Sequence, residues 1–134
     1  MTLAASTIGS DRGVKSETAP VGRNAIVWRA RDLISRHACD RSFGPDQLAA
    51  HSGVSLRRLQ TVFHKQGTSI AETIWEMRLE HARSFLSEDR CRDRTITEIA
   101  FESGFSDFAH FSRRFKKRFG LSPRDFRLAT EPKR

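Results

Sequence analysis

Apolar residues recur along most of this chain at spacings of three and four, the period of a helix rather than the two-residue period of a strand. Between Asn24 and His37, Ile26, Ala30, Leu33, Ile34 and His37 share one face, with Arg29, Arg31, Asp32 and Arg36 between them. This predicts a helix over about 24–38. Ser42 to Pro45 has the composition of a turn, and Pro45 suits a first helical position, where its missing N–H has no intrahelical partner to lose. Farther on, Ile70, Ile74, Met77, His81 and Phe85 mark one face, widened by Trp75, Leu79, Ala82 and Leu86. Ser69-Ile-Ala-Glu72 opens this stretch with a capping-box pattern. The predicted helix, about 69–87, is roughly 27–28 Å long at the standard rise. Thr95-Ile-Thr-Glu98 is a second capping box, and Ser122-Pro123-Arg124-Asp125 opens a last short helix running to about Leu128. The stretch 88–94 between them is fully polar. No run of alternating β-branched residues occurs, so the expected fold is all-α. Residues 1–22 are rich in Ser, Thr, Gly and Ala, lack a periodic face and close on Pro20 and Gly22. They read as a disordered arm or interdomain linker ahead of a single domain over 23–130.

The pattern contains an internal repeat. Leu48-Ala-Ala-His-Ser-Gly-Val-Ser55 aligns with Ile99-Ala-Phe-Glu-Ser-Gly-Phe-Ser106, and Leu59 and Phe63 correspond to Phe111 and Phe115 after one extra residue in the second copy. Each unit has the grammar of a helix-turn-helix. A short Ala-bearing helix allows close packing, and Gly53 or Gly104 stands where the chain leaves that helix at positive φ. Ser55 or Ser106 is then placed to cap the next helix. The two motifs are expected over about 45–66 and 95–119, with helix 69–87 as the linker between them.

Laid out at about 100° per residue, both second helices are two-sided. In the first, Leu56, Leu59, Val62 and Phe63 face inward. Arg57, Thr61 and His64 lie opposite, flanked by Gln60, Arg58 and Lys65. In the second, Phe108, Phe111, Phe115 and Phe119 form the core face, and Ser106, His110, Arg113 and Lys117 cluster on the other side. A solvated helix face is the ordinary explanation of such charge. Here the stripe mixes Arg with Gln, Thr and His, groups that hydrogen-bond base edges in a major groove, and flanking cations can neutralise phosphates. Base readout is therefore assigned to Arg57, Gln60, Thr61, His64, His110 and Arg113. Phosphate contacts are assigned to Ser55, Arg58, Lys65, Ser106, Arg114, Lys116 and Lys117.

Composition sharpens this picture. The 134 residues carry 24 Lys+Arg against 16 Asp+Glu, a formal charge of +8, and 19 of the basic residues are Arg. A polyanionic partner fits this balance, and Arg suits bidentate phosphate and guanine contacts. A base-composition bias of the genome would also enrich Arg, but it would not sort charge by helix face. Ser55–Gln66 holds three basic residues and no acid, while Ser106–Arg127 holds seven against two. No apolar run is long enough for a membrane span, and no secretory leader pattern opens the chain. Both absences point to a cytoplasmic protein without a membrane partner. Two cysteines, Cys39 and Cys91, provide neither a disulfide framework nor a zinc cluster, and no metal or cofactor is expected.

The stretch Ile96–Arg127, I-T-E-I-A-F-E-S-G-F-S-D-F-A-H-F-S-R-R-F-K-K-R-F-G-L-S-P-R-D-F-R, resembles the signature of the AraC/XylS family of bacterial transcription regulators. The Ile-x-x-Ile-Ala opening, Gly-Phe turn, Phe-Ser-Arg-x-Phe-Lys core, Phe-Gly-x-Ser-Pro and closing aromatic-Arg pair are all present. Leu48-Ala49, Ser52-Gly53, Ser55, Leu59, Phe63, Gly67, Ser69, Arg78-Leu79 and Ala82 extend the likeness into the first unit, so that it covers about 24–128. The resemblance implies seven helices, two helix-turn-helix subdomains joined by a long linker helix, and recognition helices in neighbouring major grooves of double-stranded DNA. It further implies regulation of transcription as an activator and RNA polymerase as a second partner. Family members are usually longer, with an N-terminal effector-binding and dimerisation domain, while others stand alone, so the chain is either a stand-alone regulator or a fragment of a longer protein. At the family's base-contact positions stand Arg57, Gln60 and Thr61, with His64 beyond, and Phe108, Ala109, His110 and Arg113. Phe108 and Ala109 offer no hydrogen bond, which leaves the second unit's readout to His110 and Arg113. The first unit is one residue short between Phe63 and Gly67, which should tighten the turn without altering the fold.

Other functions are less well supported by the residues. No phosphate loop, nucleophile motif or paired carboxylate argues for an enzyme. Cys91, set between basic residues, motivates a redox-responsive alternative, and the charge alone would suit a nonspecific nucleic-acid-binding module. Glu76, Glu80 and Glu102 offer an acidic surface to RNA polymerase, whereas Trp75 is expected to pack within the linker helix region.

Overall fold

The computed structural model describes residues 19–131, with side chains from Gly22 onward. Seven α-helices occur among the described residues, and no strand. They are α1 (Ala19–His37), α2 (Pro45–Ser52), α3 (Leu56–Lys65), α4 (Ile70–Ser87), α5 (Ile96–Glu102), α6 (Phe108–Phe119) and α7 (Pro123–Ala129). A 3-10 turn at Asp89–Cys91 occupies part of the segment expected to be plain loop.

α1 starts five residues before the expected position. Pro20 falls in its first turn, where the absent N–H is not missed, so residues read as terminators are incorporated into the helix. The expected arm is shortened accordingly, and residues 1–18 of it lie outside the described residues.

Two cores form, one per unit. Ala30, Ile34, Ala38, Phe43, Leu48, Leu59 and Phe63 build the first with Ile70 and Ile74 of α4. Ile99, Ala100, Phe105, Phe111 and Phe115 build the second with Leu79, Ala82 and Leu86, again from α4. The linker helix is therefore buried along both ends and belongs to both units. An aromatic ladder runs through the second core: Phe105–Phe111 at 5.1 Å between ring centroids, Phe111–Phe115 at 5.6 Å and Phe115–Phe126 at 5.6 Å. Trp75 stacks on Phe105 at 5.2 Å and packs against this core, as expected of it.

Between the cores lies a cation. Arg78 of α4 is 4% exposed. Its Nε donates to the Ala38 carbonyl at 2.7 Å, and its Nη2 donates to the carbonyls of Asp40 and Phe43 at 3.0 and 3.1 Å. Those oxygens belong to the turn that follows α1, where the Asp40 carbonyl also accepts from the Phe43 N–H at 3.0 Å. Burial pulls the Arg78 pKa down, with Cys39 and Asp40 acting in the other direction. The guanidinium also lies 4.8 Å from the Trp75 ring. Gly104, at φ +108°, presses against it: a Cβ there would stand 2.6 Å from both the Ala38 carbonyl oxygen and Arg78 Nε.

The caps follow the sequence in most places. Ser55, Ser69, Thr95 and Ser122 each accept from the backbone N–H three residues on. Thr95 and Glu98 complete a reciprocal box, with Glu98 Oε1 accepting from the Thr95 N–H at 2.8 Å. α5 has only seven residues, so its end matters more than usual. Thr95→Ala should lower stability by about 1 kcal/mol, read as a shift of the denaturant midpoint at unchanged slope.

Two caps differ from expectation. Glu72 gives its backbone N–H to Ser69 but does not return its carboxylate, which goes to Arg114 instead. At α6 the cap is Asp107, not Ser106: Asp107 Oδ1 accepts from the N–H groups of Ala109 and His110 at 2.8 and 3.3 Å. The extra residue in the second copy moves the helix start by one, and a carboxylate caps as well as a hydroxyl there.

Candidate nucleic-acid interface

α3 buries Leu59, Val62 and Phe63 and turns its other side to solvent. Arg57, Arg58, Gln60, Thr61, His64 and Lys65 are all exposed, as is Ser55 at the N-cap. The Thr61 hydroxyl donates to the Arg57 carbonyl at 3.0 Å, which leaves its oxygen lone pairs outward. No acidic residue lies within α3, so the stripe is uniformly donor-rich and positive. Gly67, at φ +82°, turns the chain into α4.

α6 buries Phe111 and Phe115, and its cations divide into two sets. Arg113, Lys116 and Lys117 are exposed, and so are Ala109 and Ser106. Phe108, read as a core residue, is 40% exposed at the start of the helix. Arg114, expected at a phosphate, is half-buried and paired within the protein. Its Nη1 and Nη2 donate to the two carboxylate oxygens of Glu72 at 3.0 and 3.2 Å, and its Nε donates to His110 Nε2 at 3.0 Å. Three of the five guanidinium N–H groups are engaged in this way, so Arg114 ties α6 to α4 and shares its charge with Glu72. Arg118 is tied likewise, to Glu80 at 3.0 Å and Glu76 at 3.9 Å.

His110 is half-buried, not fully displayed on the outer stripe. Its ring meets Trp75 edge-on at 4.7 Å and Phe105 at 5.7 Å. Burial and the neighbouring Arg114 and Arg113 guanidiniums push its pKa below the ordinary histidine value. The Glu72 carboxyl is held below its usual range by the Arg114 hydrogen bonds. Burial raises the Glu80 carboxyl, but hydrogen bonds from Arg118 and Arg83 outweigh this and leave it lowered. α4 thus turns an acidic row, Glu72, Glu76 and Glu80 at i, i+4 and i+8, toward α6. A groove of about 480 Å³ lies between the two helices, lined by Glu72, Glu76, His110, Arg113, Arg114 and Lys117 among others.

The sequence pattern missed Arg78, Asp107 and the pairing of the α4 acids with α6. Only the recurrence of Glu at four-residue steps hinted at the last. The acids offered as a polymerase-facing surface are occupied: Glu76 and Glu80 by Arg118, and Glu102 by Arg94. Cys91 is half-buried, and its thiol donates to Glu88 Oε1 at 3.6 Å.

A family profile described as a helix-turn-helix domain matches residues 48–129. The chain is 31% identical over 108 residues to the transcriptional activator NphR of a Rhodococcus species, covering 81% of this chain and 31% of that protein. It is 35% identical over 108 residues to the arabinose operon regulatory protein of Escherichia coli K12, covering 80% and 36%. The chain thus spans about a third of the length of these relatives. Among solved structures, a transcriptional regulator from Chromobacterium violaceum, described as an AraC-type DNA-binding domain-containing protein, superposes with a TM-score of 0.71 at 28% identity, over 82% of this chain and 96% of that one. A probable AraC family regulator from Rhodopseudomonas palustris also gives 0.71 at 28% identity, over 81% and 99%.

Proposed function

This chain belongs to the AraC family of helix-turn-helix regulators, and from that membership we propose that it binds a specific double-stranded DNA sequence with α3 and α6 in neighbouring major grooves and activates transcription. One observation carries the reading. Two repeat-related helices bury their apolar faces, expose basic hydrogen-bonding stripes, and are seated on the same continuous helix, α4. That helix, at roughly 27 Å, approaches the ~34 Å between successive major-groove faces of B-DNA.

In this reading Arg57, Gln60, Thr61 and His64 read bases from α3, and Arg113 with His110 reads them from α6. Ser55, Arg58, Lys65, Ser106, Lys116 and Lys117 hold phosphates. Phe108 and Ala109, exposed at the start of α6, offer apolar contact to a thymine methyl. The chain acts as a regulator, not an enzyme. Its place is the cytoplasm with the DNA; no helix among the described residues is long and apolar enough to cross a membrane. Several relatives are named as activators, which supports activation through RNA polymerase. The greater length of the relatives supports a partner domain for effector binding or dimerisation.

Selection of bound duplexes from a random pool tests the reading. A motif in two parts, spaced by about one helical turn, is expected. Enrichment of no motif, or of one shorter than about ten base pairs, would overturn the two-groove arrangement and leave a nonspecific nucleic-acid-binding module. Arg113→Ala should weaken binding by about 1–3 kcal/mol and relax one base position. A uniform loss across all sequences would instead place Arg113 on a phosphate.

A further inference from the structure

The contacts at the start of α6 determine which way a recognition side chain is protonated. Arg114 Nε is a donor only, so His110 Nε2, 3.0 Å away, must hold its lone pair. The imidazole is then neutral and its proton sits on Nδ1. Arg114 cannot swing away from this bond easily, because Glu72 holds it through both carboxylate oxygens. The ring cannot flip easily either, since Trp75 and Phe105 both pack against it in T-shaped contacts. Among the described residues nothing accepts from Nδ1.

We propose that Glu72, on the linker helix, is a positioning residue for specificity: through Arg114 it fixes His110 as the Nδ1–H tautomer, so that α6 offers DNA a donor at that position, and it withholds the Arg114 charge from the backbone. The chemistry of the choice is direct. A ring nitrogen that donates selects an acceptor on a base edge, a purine N7 or the O6 of guanine or O4 of thymine. The same nitrogen without its proton would select an exocyclic amino group. The linker helix therefore takes part in base readout without touching a base. This inference rests on the DNA-binding reading above.

Glu72 is half-exposed, and Gln is its isostere, so Glu72→Gln should fold. Three measurements test the proposal. Long-range nitrogen–proton NMR of the DNA-free protein should show His110 as a neutral ring with its proton on Nδ1, and Glu72→Gln should convert it to a mixture of tautomers. Random-duplex selection with Glu72→Gln should recover the wild-type motif with one position blurred, discrimination there falling roughly tenfold, and His110→Ala should blur that same position. The freed Arg114 should steepen the dependence of log affinity on log salt by about 0.9, one added phosphate contact.

A wild-type ring protonated on Nε2 or on both nitrogens would overturn the proposal without any DNA. A Glu72→Gln motif and salt slope identical to wild type, or a blurred position different from that of His110→Ala, would overturn it while leaving the function standing. A wild-type chain that enriches no motif would instead remove the sequence-specific reading, and this inference with it.

Discussion

Gly104→Ala should be among the most damaging single substitutions in the chain, lowering stability by about 2–6 kcal/mol. Two penalties add. At φ +108° an L-residue is strained by about 1–3 kcal/mol. The new methyl would also sit 2.6 Å from the Ala38 carbonyl oxygen and 2.6 Å from Arg78 Nε, and forcing a well-packed site apart adds about 1–3 kcal/mol. The repeat supplies an internal control. Gly53 is the equivalent residue of the first unit, at φ +73°, and a Cβ there meets nothing within 4 Å. Gly53→Ala should therefore carry the backbone penalty alone, about 1–2 kcal/mol. Denaturant midpoints of the two variants check this directly, and equal losses would refute the packing half of the argument.

Arg78→Met is expected to be comparably severe, at about 2–5 kcal/mol. The methionine nearly preserves apolar volume but strands two carbonyls, those of Ala38 and Phe43, which the guanidinium now satisfies, while the Asp40 carbonyl keeps its bond from the Phe43 N–H. An unsatisfied buried acceptor loses its full solvation, a larger effect than the net worth of the bond it made. Arg78→Lys keeps the charge and still should not restore stability, because an ammonium lacks the planar fork that reaches separated oxygens. Because Arg78 ties α4 to the segment after α1 and underlies Gly104, both variants should also weaken DNA binding more than a lone phosphate contact would. Binding measured under conditions where each variant remains folded separates that effect from simple unfolding.

The periodic residues made the helices, the two units and the shared role of α4 legible, because burial of an amphipathic face repeats locally. Leu59 and Phe111 reach their cores as the spacing requires. What the pattern missed are partnerships across large sequence separations. Arg78 lies 40 positions from Ala38, and Glu72 lies 42 from Arg114. A polar residue at a helical position reads the same whether it meets water or a distant carbonyl. The shift of the α6 cap from Ser106 to Asp107 has a different origin: adjacent residues both able to cap make the boundary ambiguous by one. The display of α3 was readable for the same reason that of His110 was not. α3 turns its stripe away from the rest of the protein, whereas the start of α6 leans on Trp75 and the acids of α4.

The continuity of α4 has a consequence for how the domain can vary. A loop absorbs an inserted residue, but within a helix one residue adds about 1.5 Å and turns everything beyond it by about 100°. Because Ile70 and Ile74 are anchored in one core and Leu79, Ala82 and Leu86 in the other, an insertion between them would swing the α6 stripe a quarter-turn away from that of α3. The helix works as a phase gauge. The angle between the two reading surfaces is set by a residue count, so any change in the spacing of the two halves of a target has to be taken up by bending or twisting the duplex and not by the protein.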